Sequence, residues 1–217
     1  KIDLSIENPG LYSLVGSNGC GKSTIFKLLE RFYECKVGKI EINQVPINKY
    51  SASDLRNNIV YMPKKPFFLQ GTIMDNLKLG QNEISDLEVI EVCKKVGIHS
   101  DIQKLEKGYY ELIESGGENF SSGQKQKLGF VRVLLKKADI VLLDEVTSDL
   151  DGEAERQICN QIEEIAKKAI VLNIAHKPDS IRRSKKVFFI QGGKIVAEGT
   201  HKALMKNCVD YKKIFAN

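Results

Sequence analysis

Nine consecutive residues near the start of the chain have the types and the spacing needed to bind phosphate. Residues 16–24 read GSNGCGKST and match the pattern G-x-x-x-x-G-K-[ST]. Glycines in such a loop let successive backbone N–H groups point at phosphate oxygens, where a Cβ would obstruct them. Lys22 would bring a cation to the β- and γ-phosphates, which makes it a candidate catalytic residue, and the Ser23 hydroxyl could ligate Mg²⁺. We therefore predict a phosphate-binding loop formed by Gly16, Ser17, Asn18, Gly19, Cys20, Gly21, Lys22, Ser23 and Thr24.

Such a loop has to connect a strand to a helix N-terminus, whose partial positive charge favours an anion. The residues before it, GLYSLV at 10–15, read as a buried strand. After it, Ile25, Leu28, Leu29 and Phe32 fall at i, i+3, i+4 and i+7, which is the spacing of one helical face. A chance match in a glycine-rich loop is the alternative, and the flanking strand and helix favour the functional interpretation.

A second set of candidate residues ends a continuous apolar run at 138–144, which is typical of a strand buried on both faces of a parallel sheet. Two carboxylates close the run, Asp144 and Glu145. Beside a phosphate loop, Asp144 could hold hydrated Mg²⁺, and Glu145 could orient or deprotonate an attacking water. Acidic residues often follow strands without a catalytic role, so this prediction depends on the upstream loop.

A third motif, NFSSGQKQ at 119–126, precedes an amphipathic helix that contains Leu128, Val131 and Leu135. Ser121 could cap this helix, and the N–H groups of its first turn would attract an anion. Taken alone, the pattern indicates a capped helix and no particular ligand.

Length and composition limit the class of protein. The chain has 217 residues and a formal net charge of +5, with 42% hydrophobic and 28% charged residues, which is typical of a globular domain. Basic residues are dispersed among acidic ones without interleaved aromatics, so we expect no nucleic-acid partner. The five cysteines are odd in number and form no C-x-x-C pair, which argues against a disulfide framework or a zinc site. No apolar run approaches the roughly 20 residues that cross a bilayer.

The pattern of elements predicts an α/β fold built on a P-loop NTPase core. The predicted strands lie at 1–6, 38–43, 57–62, 138–144, 169–174 and, as a hairpin with a Gly-Gly turn, 187–198. We expect a mostly parallel sheet with an antiparallel β-subdomain over 1–71 and 138–217, and an inserted α-helical subdomain over 72–137. His99 and His201 match no motif and are predicted to lie at the surface.

With these motifs in place, the chain resembles the nucleotide-binding domain of ABC transporters over essentially all 217 residues. The order of the motifs carries the resemblance. The matching segments are the Walker A loop at 16–24, the exporter segment that faces the membrane domain at 66–77, the signature FSSGQ at 120–124, the Walker B motif at 140–145, the D-loop SDLD at 148–151 and the switch histidine at His176.

The resemblance implies an ATPase that works as a head-to-tail pair of nucleotide-binding domains. ATP and Mg²⁺ would bind the 16–24 loop of one copy, where His176 would contact the γ-phosphate and Glu145 would act on the attacking water. The other copy would close the site with its signature residues, and Asp151 of the D-loop would belong to the same site. The signature residues are Ser121, Ser122, Gly123 and Gln124.

The resemblance also implies a membrane setting. The chain opens directly on a strand pattern, so we expect a transmembrane domain on the same polypeptide before Lys1 and a motor at the cytoplasmic face of the cell membrane. The cargo would be a peptide, a bacteriocin or a lipid. Two alternatives stay open: an ATP-binding switch module with weak hydrolysis, and a soluble ABC ATPase outside transport. Glu145 and His176 favour an enzyme, and the chain lacks the coiled-coil insertion or tandem domains typical of soluble members.

Two positions depart from the family pattern. Lys64 occupies the Q-loop position, where a glutamine amide can bind Mg²⁺ and the attacking water. An ammonium cannot ligate a cation, so Lys64 is expected either to touch the γ-phosphate or to swing away. Ser122 replaces the first glycine of the signature pair and adds a small side chain where backbone approaches phosphate, at little cost if its φ is negative.

Overall fold

The computed structural model describes residues 2–215 apart from 80 and 82. Contacts between Cα atoms divide these residues into two compact units. The sheet unit comprises the described residues of 1–61, 138–145 and 166–217, and the helical unit comprises those of 62–137 and 146–165. The predicted subdomain bounds at 72 and 137 stay a prediction. Strands and helices carry numbers in chain order.

A six-stranded sheet runs through the sheet unit. Its strands are β1 (Gly10–Val15), β4 (Ile59–Met62), β7 (Ile140–Asp144), β8 (Ile170–Ile174), β9 (Lys186–Gln191) and β10 (Lys194–Gly199). They lie in the order β10-β9-β1-β8-β7-β4, with β1 parallel to both β8 and β9, and β7 parallel to β8. The last two strands pair antiparallel across Gly192 and Gly193. The prediction of a mostly parallel sheet with this hairpin is confirmed.

The parallel strands are apolar on both faces because helices cover both faces. The helices of this unit are α1 (Lys22–Leu29), α2 (Ala52–Asn58), α8 (Pro178–Arg182), α9 (His201–Asn207) and α10 (Val209–Ile214). Successive side chains of a strand point to opposite faces. Leu14 therefore joins an apolar cluster with Phe26 of α1, whereas the next residue, Val15, joins a cluster with Tyr211 of α10. The loop that follows Val15 starts from a strand end packed on both sides.

The helical unit consists mainly of α3 (Ile73–Lys78), α4 (Asp86–Val96), α5 (His99–Gln103), α6 (Ser122–Lys136) and α7 (Gly152–Ala166), with a ribbon of β5 (Gly71–Thr72) and β6 (Leu112–Ile113). The helix α6 packs against α3 and α4. On α4, Val89, Cys93 and Val96 are fully buried, as its apolar periodicity predicts. Within the described residues, no helix is both long enough and apolar enough to cross a membrane.

Two strand predictions near the N-terminus are wrong in detail. Residues 2–7 form no strand, although Ile2, Leu4 and Ile6 pack against an apolar cluster of the sheet unit; Lys1 lies outside the described residues. The alternating pattern therefore predicts burial correctly but not a strand. The strand expected at 38–43 is shorter, since only β2 (Glu41–Ile42) forms and pairs antiparallel with β3 (Val45–Pro46).

The prediction that His201 lies at the surface is wrong. This residue is 9% exposed, and its Nδ1 lies 2.8 Å from the Tyr211 hydroxyl. Burial lowers the pKa of His201 and so favours the neutral ring. His99 is half-buried and pairs in the same way, with its Nδ1 2.9 Å from the Tyr109 hydroxyl. Both histidines therefore fasten a helix end to a tyrosine ten residues later.

Candidate functional site

The loop predicted to bind phosphate lies between β1 and α1, so the expected order of strand, loop and helix is confirmed. The helix begins at Lys22, and Gly21 before it has φ 102° and ψ 9°, a left-handed conformation that favours glycine. Among the described residues, no side chain caps this helix N-terminus. Because the first N–H groups of a helix have no partner within it, those of α1 can serve an external anion.

Lys22 organises the loop from inside. It is 5% exposed, and its ammonium donates to the carbonyl oxygens of Gly16 at 2.7 Å and Ser17 at 3.0 Å. The Sγ of Cys20 lies 3.9 Å from the same Nζ. A buried ammonium requires acceptors of this kind, and here the backbone of the loop supplies them. The side chain is therefore held within the loop that would take the phosphates.

Close packing explains the first glycine of the motif. A Cβ on Gly16 would lie 2.1 Å from the carbonyl oxygen of Ile190 and 2.8 Å from Sγ of Cys20. Both distances are far below van der Waals contact, so no side chain fits at this position. The loop backbone lies directly against the end of β9, which fixes the position of the loop on the sheet.

The two predicted carboxylates follow one another at the end of β7. Asp144 is 7% exposed, and Glu145 has φ 52°, a left-handed conformation that is uncommon for a residue with a side chain. The Glu145 N–H donates to the Ile174 carbonyl at 2.9 Å, and its Oε1 lies 3.0 Å from Nε2 of His176. Since β7 and β8 are neighbouring parallel strands, their carboxyl ends bring Glu145 and His176 together.

One residue that contacts Asp144 was not predicted by any sequence motif. The hydroxyl of Tyr61, on β4, lies 3.4 Å from Oδ2 of Asp144. Burial, and then the charge and the hydrogen bond of Asp144, raise the pKa of Tyr61 to about 12, so its hydroxyl stays protonated at neutral pH. The strand predicted at 57–62 forms as β4 from Ile59 onward, since α2 extends to Asn58, but the position of β4 beside β7 is not predictable from the pattern.

In the helical unit, the signature residues form the start of α6. The Ser121 hydroxyl accepts a hydrogen bond from the Gln124 N–H at 3.2 Å, and the Ser121 N–H donates to Gln124 Oε1 at 3.0 Å. This capping box confirms the predicted cap. Ser122 is the first helical residue and has no positive φ, so its side chain adds no backbone strain. A Cβ on Gly123 would lie 3.4 Å from the Asp149 carbonyl, which is ordinary contact.

Asp151 and Lys64 also lie in the helical unit, and each makes a hydrogen bond that involves a backbone group. The Asp151 carboxylate accepts a hydrogen bond from the Ala154 N–H at 2.9 Å, at the start of α7. The carbonyl of Lys64 accepts a bond from Nε2 of Gln126 at 2.5 Å, and Gln126 is buried on α6. The backbone at Lys64 is therefore fixed to α6, while its side chain is exposed.

Magnesium would find few protein ligands at this site. Within the part of the chain that the structure describes, no three His, Cys, Asp or Glu side chains cluster as a metal site. Mg²⁺ commonly keeps several waters and binds one or two protein oxygens together with substrate phosphates. One buried carboxylate, that of Asp144, and the Ser23 hydroxyl next to Lys22 suit this mode, and both belong to the sheet unit.

Open parallel sheets bind their ligands outside the carboxyl ends of the strands. Here β1 ends in the glycine-rich loop, β7 ends in Asp144 and Glu145, and His176 follows β8, which lies between them. Loop, carboxylates and histidine thus share one edge of the sheet. This is the arrangement of a P-loop nucleoside triphosphatase.

A model of the ABC transporter family matches residues 1–148, which is more than half of the chain. The chain therefore belongs to the ABC transporter family, and it is an ATPase domain of that family. ATPase domains of this family bind ATP.

The chain is 39% identical to the ABC multidrug transporter MDR2 of Trichophyton rubrum over 97% of its length, which is 16% of that protein. It is 38% identical to a Rickettsia typhi protein with the provisional name export ATP-binding/permease protein RT0691, covering 99% of this chain and 37% of that one. A bacterial Atm1-family ABC exporter, solved with ATP bound, aligns with a TM-score of 0.91 and 30% identity over 95% of this chain and 36% of the exporter. The chain thus spans well under half the length of these relatives.

Proposed function

We propose that the chain is the ATP-hydrolysing motor domain of an exporter and that it uses ATP together with Mg²⁺. The observation that carries hydrolysis is the pair formed by Glu145 and His176, 3.0 Å apart at neighbouring strand ends and directly after buried Asp144. Export is supported by the relatives, whose names refer to multidrug transport and to export.

Each functional residue of the sheet unit has its own role in this proposal. The 16–24 loop binds the phosphates through backbone N–H groups, and Lys22 adds positive charge. Glu145 accepts the proton of the attacking water, while His176 steadies its carboxylate and contacts the γ-phosphate. Ser23 and Asp144 would hold Mg²⁺, which supplies charge that offsets the negative phosphates.

In the helical unit, the start of α6 would complete the site of a second copy in a head-to-tail dimer. The helix N-terminus carries partial positive charge, which favours the phosphates of the partner's ATP. The Ser121 hydroxyl accepts a bond from Gln124 and keeps its own proton, so it can donate to a phosphate oxygen. Ser122 and Gly123 would bring backbone N–H groups to the same phosphate, and Asp151 would lie in the same site.

Lys64 would serve this site with an ammonium in place of the family's glutamine amide. Within the helical unit, Gln126 of α6 donates a hydrogen bond to the Lys64 carbonyl and holds its backbone. An ammonium attracts the phosphate but offers no lone pair to Mg²⁺, so we expect nucleotide binding to depend less on the metal than with glutamine.

The motor would work at the cytoplasmic face of a membrane and receive its cargo specificity from a transmembrane domain on the same polypeptide, before Lys1. The greater length of the relatives supports such a domain. The cargo would be a peptide, a bacteriocin or a lipid, with multidrug transport suggested by the relatives' names. Within the chain, 1–71 and 138–217 would form the ATP-binding core, and 72–137 would carry the signature.

A second function, an ATP-binding switch with weak hydrolysis, is favoured by two observations. Lys64 cannot ligate Mg²⁺ as a glutamine can, and Ser122 places a side chain where the family signature has glycine. The switch and the motor share ATP binding and differ in turnover. A soluble ABC ATPase outside transport has no comparable observation in its favour.

ATP turnover separates the motor from the switch. In the motor, Glu145→Gln lowers turnover by about 100-fold or more and leaves nucleotide binding in place, because an amide cannot accept the proton. Glu198→Gln is the matched control, since this carboxylate of the sheet unit is exposed and pairs with Lys186 at 2.6 Å. If native turnover is negligible, the switch function is the correct one. If turnover is measurable and Glu145→Gln leaves it unchanged, the catalytic assignment of Glu145 is wrong.

A further inference from the structure

We propose that Tyr61 is a positioning residue for Asp144, whose carboxylate it restrains through a hydrogen bond from its phenol hydroxyl. The inference rests on the proposed function, in which Asp144 holds Mg²⁺. Tyr61 would act on metal binding through Asp144 and not by touching ATP. It belongs to none of the family motifs in this chain, so its role is read from the structure.

The environment of Asp144 calls for such a donor. At 7% exposure, its carboxylate has lost most of its hydration, and a buried charge is costly unless polar partners replace the water. Tyr61 Oη lies 3.4 Å from Oδ2 of this carboxylate. An ionised carboxylate only accepts hydrogen bonds, so the phenol is the donor. A ligand restrained in this way loses less freedom when a metal arrives.

Packing holds the hydroxyl in this position. The Tyr61 ring meets the ring of Phe26 edge to face, with centroids 5.9 Å apart and planes at 71°. Phe26 is fully buried on α1, four residues after Lys22. The same tyrosine therefore contacts the helix that begins with Lys22 and the carboxylate at the end of β7. Tyr61 can therefore help to hold α1 and the Asp144 carboxylate in fixed positions relative to each other.

The distance sets the size of the expected effect. A separation of 3.4 Å exceeds the 2.5 to 3.0 Å usual for O–H···O bonds, so this bond is weaker than average. A typical hydrogen bond changes an equilibrium by roughly 2- to 12-fold. We therefore expect loss of the hydroxyl to weaken the apparent Mg²⁺ affinity by about 2- to 5-fold.

The test uses Tyr61→Phe, which keeps the ring against Phe26 and removes only the hydroxyl. Binding of a fluorescent ATP analogue to the full chain is titrated with Mg²⁺, and with Mn²⁺ as a paramagnetic probe of bound metal. We expect weaker metal binding and unchanged nucleotide binding in EDTA. Tyr12→Phe is the matched control, because the Tyr12 hydroxyl donates to the Asn8 carbonyl at 2.9 Å in the same unit.

A double variant distinguishes positioning from a general structural effect. If Tyr61 acts through Asp144, Tyr61→Phe has no further effect on metal binding in the Asp144→Asn background. The inference is overturned if Tyr61→Phe shows the same Mg²⁺ dependence of nucleotide binding as the native chain. It is also overturned if the variant weakens nucleotide binding equally with metal and in EDTA. If Asp144→Asn itself leaves the metal titration unchanged, the assignment of Asp144 in the proposed function fails first, and the role of Tyr61 fails with it.

Discussion

The two helices proposed to face phosphate, α1 in the sheet unit and α6 in the helical unit, begin in different ways. Gly21 precedes α1 in a left-handed conformation, and among the described residues no side chain caps this end. In contrast, α6 opens with a complete capping box between Ser121 and Gln124. The first backbone N–H groups of α1 therefore stay open to a ligand, whereas the capping box of α6 supplies hydrogen-bond acceptors to some of its own N–H groups.

The two helix starts also share a feature that the other long helices lack. The first-turn residues of α1 and α6 include no carboxylate, whereas α4 carries Asp86 and Glu88 there and α7 carries Glu153 and Glu155. First-turn carboxylates stabilise a helix by neutralising its positive end. Their absence from α1 and α6 preserves that charge for an anion. The difference in capping leaves more of the first N–H groups open to a ligand at α1 than at α6.

The largest expected effect comes from Lys22, the first residue of α1. Lys22→Met removes the ammonium that binds the carbonyls of Gly16 and Ser17, and we expect ATP turnover to fall by a factor on the order of 100 to 1,000. The uncompensated carbonyls should also lower the free energy of unfolding by about 1–3 kcal/mol. Steady-state turnover and chemical denaturation measure the two effects.

Lys27→Met is the matched control for Lys22→Met, because Lys27 lies on the same helix and places its ammonium 5.7 Å from the centre of the Tyr33 ring. It should leave turnover within twofold of the native value, since Lys27 is only half-buried and, among the described residues, its ammonium contacts no part of the phosphate loop. Equal losses in both variants would show that the charge of α1, and not the position of Lys22, matters.

An intermediate effect is expected at the cap of α6. Ser121→Ala removes a capping side chain and should lower the free energy of unfolding by about 1 kcal/mol. The proposed donor to the partner's phosphate is lost as well, so turnover should fall by about 10-fold or more. Denaturation curves and turnover at saturating ATP measure these changes separately.

Ser85→Ala isolates the structural part of that effect. Ser85 caps α4 in the same helical unit by accepting a bond from the Glu88 N–H at 3.2 Å. We expect a similar loss of stability, again about 1 kcal/mol, with turnover unchanged. A parallel fall in turnover for both serines would mean that Ser121 acts as a cap alone.

The sequence predicts those parts of the site that lie within one stretch of chain. The loop at 16–24 and the cap of α6 depend on residues a few positions apart, and both predicted local structures are confirmed. Glu145 and His176 are 31 residues apart, and their contact depends on β7 lying beside β8. Tyr61 and Asp144 are 83 residues apart, and no local pattern connects them. Strand order, which decides both contacts, is not readable from periodicity.

The errors in the predicted fold have the same cause, since they also concern contacts that no local sequence pattern indicates. Alternation at Ile2, Leu4 and Ile6 correctly indicates burial, but a strand also needs a neighbour to accept its hydrogen bonds, and the described part of this segment has no strand pairing. His201 looked unpartnered because its partner, Tyr211, belongs to no motif. Apolar periodicity predicted the buried strands β7 and β8 well because their surroundings are apolar on both faces.

The smallest expected effect concerns Ser122, where the chain departs from the family signature. It is the first residue of α6 and has no positive φ, so the position does not require glycine. Ser122→Gly should therefore change turnover by no more than about twofold and lower the free energy of unfolding by less than about 1 kcal/mol, since glycine loses more backbone entropy on folding. Turnover and denaturation of the two proteins measure this directly. A tenfold gain in turnover would show instead that the serine side chain keeps the backbone N–H groups of α6 from the partner's phosphate. The start of α6 would then need a residue without a side chain, as the glycine-rich loop before α1 does.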